Sequence, residues 1–493
     1  MTNANPLTEN ELQAAAYFAV GVTSEGSIAG RDLAYRLSFA GNVGPDGRMR
    51  PVANSGYSFG TMQVDLGQHP AVARDLLDHY QSWAATQPDR AALEFAPDEY
   101  ETMLGALQRT GRQMRADDAV DIDRSGLNRF LASDAGRAFV HGLDTLHVQS
   151  VTATDDMVGN RDTALERLRR TELYRNASGD AQAELAGMFM KLQNQAGQAR
   201  WPGLLDRVEA GTLDSPDAVK AAIDGLLPNQ PNGDPDYLQS GADNTLRGIG
   251  VLNALRGADA ENPLARAWAN VSAEPLIGPV ATNQPNAANP DFGFEYDMVR
   301  SLFLTPETSR RFISALDRGG TLAEGDPQPR ANGSREAGFY VSGDDFVHWN
   351  RDGNGQAFIG GRWRRVDPDD LTRVRNGDGT TDLVIKENGR PATLLRVDPG
   401  APDRRVDAGK PPAAMPFENS HLNRMLAAVT AGDAAGASDI ARSSRSPAKA
   451  WRSCSAGRSC WSSSMADSHA FSSSQLSSAK AAGSNGPDTQ PIS

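Results

Sequence analysis

Two short stretches, Ser24-Glu25-Gly26-Ser27 (SEGS) and Ser55-Gly56-Tyr57-Ser58-Phe59-Gly60-Thr61-Met62-Gln63-Val64-Asp65 (SGYSFGTMQVD), decide how this chain is read. The first closes an apolar run, ELQAAAYFAVGV, in which Leu12, Ala15, Ala16, Phe18, Ala19 and Val22 recur at helical spacing. One carboxylate, Glu25, is therefore expected where a core helix stops at Gly26. The second stretch reads as a strand over 57–66. Alternation puts Tyr57, Phe59, Thr61, Gln63 and Asp65 on one face, so Gln63 and Asp65 are expected to enter a cleft together. Gly56 and Gly60 would let a ligand approach the backbone.

Outward from this pair, residues 8–272 read mainly as helix. HPAVARDLLDHYQSWAATQ spaces Val72, Leu76, Tyr80 and Trp83 helically, with Pro70 in its first turn. SPDAVKAAIDGLL opens with Ser215 as N-cap and Pro216 at the first helical position. Residues 273–335 read as a linker with short helices. From 336 to 400 the texture changes to short β-type runs separated by Gly-, Asn- and Asp-rich turns, a small β-rich module. A linker and short helix follow over 401–442. The Ser-rich segment 443–493 is expected to be disordered. Its Trp451, Cys454, Cys460 and Trp461 are unusual for a linker and suggest an out-of-frame translation of a helical C-terminus, which reading the gene in its other frames tests. The fold class expected is mainly α (α+β).

The net charge of −13 argues against a general nucleic-acid binder and suits a cationic polymer better than an anionic one. Both cysteines lie in the tail, which excludes a disulfide framework or a Cys-based zinc site from the body. No apolar run is long enough for a membrane span. The first residues lack the basic and apolar regions of a signal peptide, so a cytoplasmic protein or signal-independent secretion is expected. No cofactor and no metal are expected.

Glycoside hydrolysis needs an acid that can protonate the leaving oxygen from a partly apolar site, and Glu25 fits by position. A second group must stabilise the cation-like transition state, activate water or attack. Asp32, Asp46 and Asp65 compete for that role. Asp65 is favoured because strand alternation aims it, and Asp46 in GPDGR suits a turn.

A glutamate at a helix end followed by a Ser-x-Gly-x-Met-Gln strand resembles the lysozyme-like superfamily of goose-type lysozymes, lytic transglycosylases and chitosanases. The resemblance spans residues 23–67. It implies a lysozyme-like helical domain over 8–272 with a short β element. Glu25 would be the general acid, and Tyr57, Ser58, Met62 and Gln63 would line or support the sugar site. The chain departs from the transglycosylase pattern in three ways. Gly26 follows the acid where Ser is usual, the gap to Met62-Gln63 is longer, and Thr61 replaces an aliphatic residue. The resemblance implies a cell-wall hydrolase acting on peptidoglycan. Two rivals stand beside it, a chitosanase-type enzyme and a non-enzymatic glycan-binding or structural protein with a degenerate fold. A wall-cutting effector would further imply secretion machinery and an immunity protein as partners.

Other patterns have plainer readings. His141-x-x-Asp144-x-x-His147 could place metal ligands on one helix face, but core packing or capping is the better account. Asp121-Ile-Asp123 begins like a calcium loop and lacks its glutamate at position twelve, so a turn is expected. Asn350–Gly355 and Asn376–Asp382 also resemble calcium turns, and hairpin turns are expected there. Trp349 and Trp363 could stack on sugars, with a core role expected for at least one.

Overall fold

In the computed structural model, residues 5–52, 54–152, 162–196, 200–230, 233–274, 289–387 and 389–404 are described. The Ser-rich tail and the helix expected before it lie outside these residues.

Thr8 starts the first helix (Glu9–Ala14) with a reciprocal cap. Its hydroxyl accepts the Glu11 N–H at 3.2 Å, and the Glu11 carboxylate accepts the Thr8 N–H at 2.8 Å. The chain continues without a break as a wider, π-type helix (Ala15–Glu25). The six expected core residues are buried, and so are Tyr17, Val20 and Gly21. A helix apolar all round must be surrounded. It is packed against the helices Asp134–Thr152, Gly179–Ala196, Tyr237–Gly257 and Phe292–Leu304. Phe18 stacks on Phe303 at 5.1 Å and meets Trp268 edge-on at 5.9 Å. Emptying that site with Phe18→Ala is expected to cost ~3–5 kcal/mol.

The helix Phe292–Leu304 falls in the 273–335 stretch expected as a linker with short helices. Its Met298, Val299, Leu302 and Phe303 belong to the same hydrophobic core as the central helix. The next helix, Pro306–Asp317, adds Phe312 and Ile313.

A second core is built around Leu76, Leu77, Tyr80 and Phe130, with Val72 and Trp83 packed partly buried against it. Here the expected strand over 57–66 is corrected. It is an antiparallel hairpin, Tyr57–Phe59 and Val64–Asp65, with Phe59 opposite Val64 and Ser58 opposite Asp65. The turn between them takes Gly60 to φ +83° and Gln63 to φ +50°, which an unbroken strand does not allow. Ser38–Phe39 pairs on the other side, giving a small three-stranded sheet. The hairpin's strands sit in the second core through Phe59 and Val64, while Met62 at its tip enters the first.

The β-rich part holds two antiparallel sheets. One has five strands, ordered 362–366, 355–359, 345–349, 338–342 and 321–324. The other is a meander of 371–375, 381–387 and 390–397. Period-two alternation splits the first sheet. Tyr340, Val347 and Trp349 face a third core shared with Leu383 and Leu395. Phe339, Val341 and Phe346 join the core of the central helix. Both calcium-like runs lie at hairpin turns, with Asn350 Oδ1 accepting the Asp352 and Asn354 N–H groups and Asp378 Oδ1 accepting that of Thr380. Trp349 is wholly buried, its indole N–H donating to the Glu336 carbonyl at 2.9 Å. Trp363 lies half-buried among Phe294, Phe346 and Phe358. The described residues through Asp403 form one compact unit. Among them no helix is long and apolar enough to cross a membrane.

Candidate functional site

Glu25 is the last residue of the central helix, and the Gly26 N–H closes that helix on the Gly21 carbonyl at 2.7 Å. These two glycines admit the hairpin tip. A Cβ on Gly21 would lie 2.7 Å from Thr61 Cγ2, and one on Gly26 would lie 2.9 Å from the Thr61 carbonyl oxygen. Residues 61–62 therefore rest against the helix on both sides of Glu25 in sequence. The turn that brings Thr61 and Met62 to the helix departs from the unbroken strand expected over 57–66.

The Glu25 side chain is 17% exposed, and its Oε1 accepts from two groups of the 179–196 helix. One is the ammonium of Lys191, itself only 2% exposed; the other is Asn194 Nδ2 at 3.0 Å. Among the described residues nothing bonds Oε2. Burial pulls the Lys191 pKa down, and the charge of Glu25 opposes that pull. Ser24 ties the same helix end to the next neighbour by donating to the Gly241 carbonyl at 3.0 Å.

The other expected site residues lie on the hairpin, and among the described residues none of them bonds the Glu25 carboxylate. Gln63 and Ser58 stay together: Gln63 Oε1 accepts from Ser58 Oγ at 3.0 Å and Ser38 Oγ at 3.2 Å, and Gln63 Nε2 donates to the Gly60 carbonyl at 2.8 Å. Both are half-buried. Tyr57 is turned into the second core, with its hydroxyl on Asp121 at 2.7 Å, because position 57 lies on the hairpin's buried face. Asp65 is on the opposite face from Tyr57 and Phe59, which corrects the shared face expected from alternation. Its carboxylate accepts the backbone N–H groups of Gly56 at 3.2 Å and Gly67 at 2.9 Å, so it locks the hairpin's base. Burial raises its pKa and those N–H groups counteract the rise.

The remaining acid candidates are also engaged. Asp46 accepts the Arg48 N–H in an exposed turn. Asp32 holds Arg300 in a two-armed pair, Nε–Oδ2 2.8 Å and Nη2–Oδ1 3.1 Å. Burial works to raise the Asp32 pKa; the charge and hydrogen bonds of Arg300 outweigh it and hold the carboxyl below its ordinary range. Arg300 also reaches the hydroxyls of Tyr17, Tyr296 and Thr61.

The helix 134–152 supports the hairpin tip from below. Asp144 Oδ1 accepts the Thr61 N–H at 2.8 Å. Burial pushes the Asp144 carboxyl up to about 6. His141 shares a 2.9 Å hydrogen bond with the Tyr35 hydroxyl. Burial, aided by the charges of Arg300 and Arg137, takes its pKa down to about 3. The His141–Asp144 pattern is thus part of the interior.

Lys191, Asn194 and Arg300 were not singled out from the sequence. The available signal was a charge inside an apolar helical run: Lys191 in AELAGMFMKLQ and Arg300 in YDMVRSLFL. Comparison with family models, with curated proteins and with solved structures returns no match to this chain.

Proposed function

We propose that the protein is a glycoside hydrolase that cuts the glycan strand of bacterial peptidoglycan, with Glu25 as its general acid. The observation that carries this reading is the position of Glu25. It is a half-buried carboxylate with one unbonded oxygen, at the end of a core helix, beside the hairpin tip that carries Gln63. Oε2, which nothing among the described residues bonds, is the atom that would give a proton to the leaving oxygen. The partly open side is suited to a polymer.

The expectation of Asp65 as the second catalytic group finds less support, since its oxygens already serve two backbone N–H groups. We favour a reaction in which Glu25 is the single essential carboxylate and water is placed from the Gln63–Ser58 side. A chitosanase-type activity is the second reading, favoured by one observation, the net charge of −13.

The test is direct. Wild type and Glu25→Gln are incubated with purified peptidoglycan and, separately, with chitosan, and released fragments are analysed by mass. Muropeptides from wild type alone support the wall hydrolase, and a 1,6-anhydro end would mark a lytic transglycosylase. Release from chitosan alone moves the substrate to the second reading. Activity retained by the variant, or absent from folded wild type on both polymers, overturns the role of Glu25.

A further inference from the structure

The two outer strands of the five-stranded sheet are finished differently. Arg362–Val366, at one end, carries Arg362, Arg364 and Arg365, and charge of this kind discourages pairing with a further strand. Thr321–Glu324, at the other end, pairs with 338–342 on one side and with no strand on the other. Its one charged side chain, Glu324, is taken by Arg311 at 3.0 Å. The Gly343 N–H donates to the Gly320 carbonyl at 2.9 Å, and bonded and unbonded pairs alternate along an antiparallel ladder. Leu322, opposite Val341, therefore bonds the neighbouring strand, while Thr321 and Ala323 turn their N–H and C=O groups to the free edge.

A cavity of about 500 Å³ adjoins this edge. Its walls are residues 321–323, the turn between the strands 371–375 and 381–387, and the chain at Val397 and Pro399. That volume is within the usual range for a small-ligand site. One charged residue lines it, Arg375, which is exposed and has no carboxylate partner among the described residues. The neighbouring acids are engaged with other groups. Asp326 pairs with Arg373 at 2.9 Å, Asp382 with Arg396 at 2.6 Å and Asp403 with Arg318 at 3.0 Å. Asp378 Oδ1 accepts from the Thr380 N–H and hydroxyl, and Asp398 Oδ1 accepts the Gly400 N–H. The cavity is thus lined by positive charge alone in a chain whose net charge is −13.

We propose that this edge binds a short extended peptide that bears a carboxylate. The peptide adds to the sheet as a sixth strand. Its backbone bonds the outward groups of Thr321 and Ala323, and its carboxylate is received by the Arg375 guanidinium. The four residues of the edge strand span about 10 Å at about 3.4 Å per residue, enough for three or four peptide residues. The site is independent of the hydrolase reading above.

The test uses the full chain and three dye-labelled probes followed by fluorescence anisotropy. They are tetra-alanine with a free C-terminal carboxylate, the same peptide capped as an amide, and chitotetraose. The carboxylate peptide is expected to bind about tenfold or more tightly than the amide, the usual reach of a charge-assisted hydrogen bond. This comparison needs wild type alone, so it stands even where a variant fails to fold. Arg375→Met should bring the carboxylate peptide down to the level of the amide. Ala323→Pro removes an outward N–H while leaving the bonds to 338–342 in place, and should abolish binding of both peptides. Wild type that binds neither peptide, or binds both equally, overturns the proposal. Chitotetraose bound in their place, and lost in both variants, would give the site to a glycan and overturn the peptide assignment. A dimer in sedimentation that Ala323→Pro dissolves, without peptide binding, would give the edge to a second copy of the chain and overturn it as well.

Discussion

Two buried ion pairs flank the hairpin tip, and they are built differently. Asp32–Arg300 is closed: two parallel hydrogen bonds join the partners, and three hydroxyls take up further guanidinium contacts. Glu25–Lys191 is open: one carboxylate oxygen receives both donors and the other is left over. A closed pair leaves neither partner free to change its proton. An open one keeps an unbonded oxygen, and under the function proposed above the difference separates a scaffold from a site although both pairs are made of one acid and one base.

The sharpest way to break this contrast is to remove each acid's chemistry in turn. Glu25→Gln is expected to lower turnover by about 10²–10⁴-fold, and to lower stability in urea as well, because it leaves the buried Lys191 ammonium beside a neutral amide. Arg300→Met should act through the fold alone. It leaves Asp32 charged and buried without its partner, at a cost of about 3–5 kcal/mol in urea unfolding. A variant at Arg300 that unfolds like wild type would end the scaffold assignment.

The interior below the tip gives a pH test. Between the ordinary aspartate value and about 6, folded Asp144 keeps a proton that the unfolded chain has released, so this group makes stability fall as pH rises. His141 acts with the opposite sign. Below the ordinary histidine value the unfolded chain takes up a proton that the fold refuses down to about 3, so stability falls as pH drops. From about pH 4 to 6 the two slopes offset each other. Asp144→Asn removes one of them, and its stability should then decline by about 1.4 kcal/mol per pH unit of acidification across that range. Urea titrations at several pH values check this; parallel curves for wild type and variant would refute it.

The smallest expected effect sharpens the geometry. Gly21→Ala places a methyl 2.7 Å from Thr61 Cγ2 and 3.1 Å from Met62 Sδ, so the tip must shift. Overpacking of this kind costs ~1–3 kcal/mol. A larger proportional loss of glycan release than of stability would show that the tip's seat against Glu25 matters to the reaction.

The sequence exposed the acid better than its surroundings. Glu25 stood out because an apolar helical run ends beside a glycine, a local pattern. The hairpin was hidden because its turn, Gly60-Thr61-Met62-Gln63, lacks the Asn-Gly or Asp-Gly signature. Tyr57, Phe59 and Val64 of the hairpin are also drawn into one core and Met62 into another, and no short window contains either. Lys191 lies 166 positions from its partner in the chain, and nothing local links them. A helix over 292–304 is expected from the sequence, but as part of a linker, because the Pro- and Asn-rich run before it dominates the texture. Its Arg300 gains meaning only once Asp32, 268 positions away, is beside it. The β-rich part was legible as strands and turns, but its division between two cores was not.

The five-stranded sheet and the helices share one interior. Phe339, Val341 and Phe346 of the five-stranded sheet lie in the core of the central helix. At the turn after the Asp345–Trp349 strand, Asp352 accepts the Asp32 N–H at 2.7 Å and the Arg31 guanidinium at 3.0 Å, seven residues or fewer beyond Glu25. Arg351 of that turn donates to the Ala29 carbonyl. The β-rich part is therefore no cassette that recombination could lend to another protein or replace by a foreign one. An exchange would strip apolar faces from the helices and release the segment that leaves the acid. A substitution on either of the two packed surfaces should therefore call for a matching change on the other.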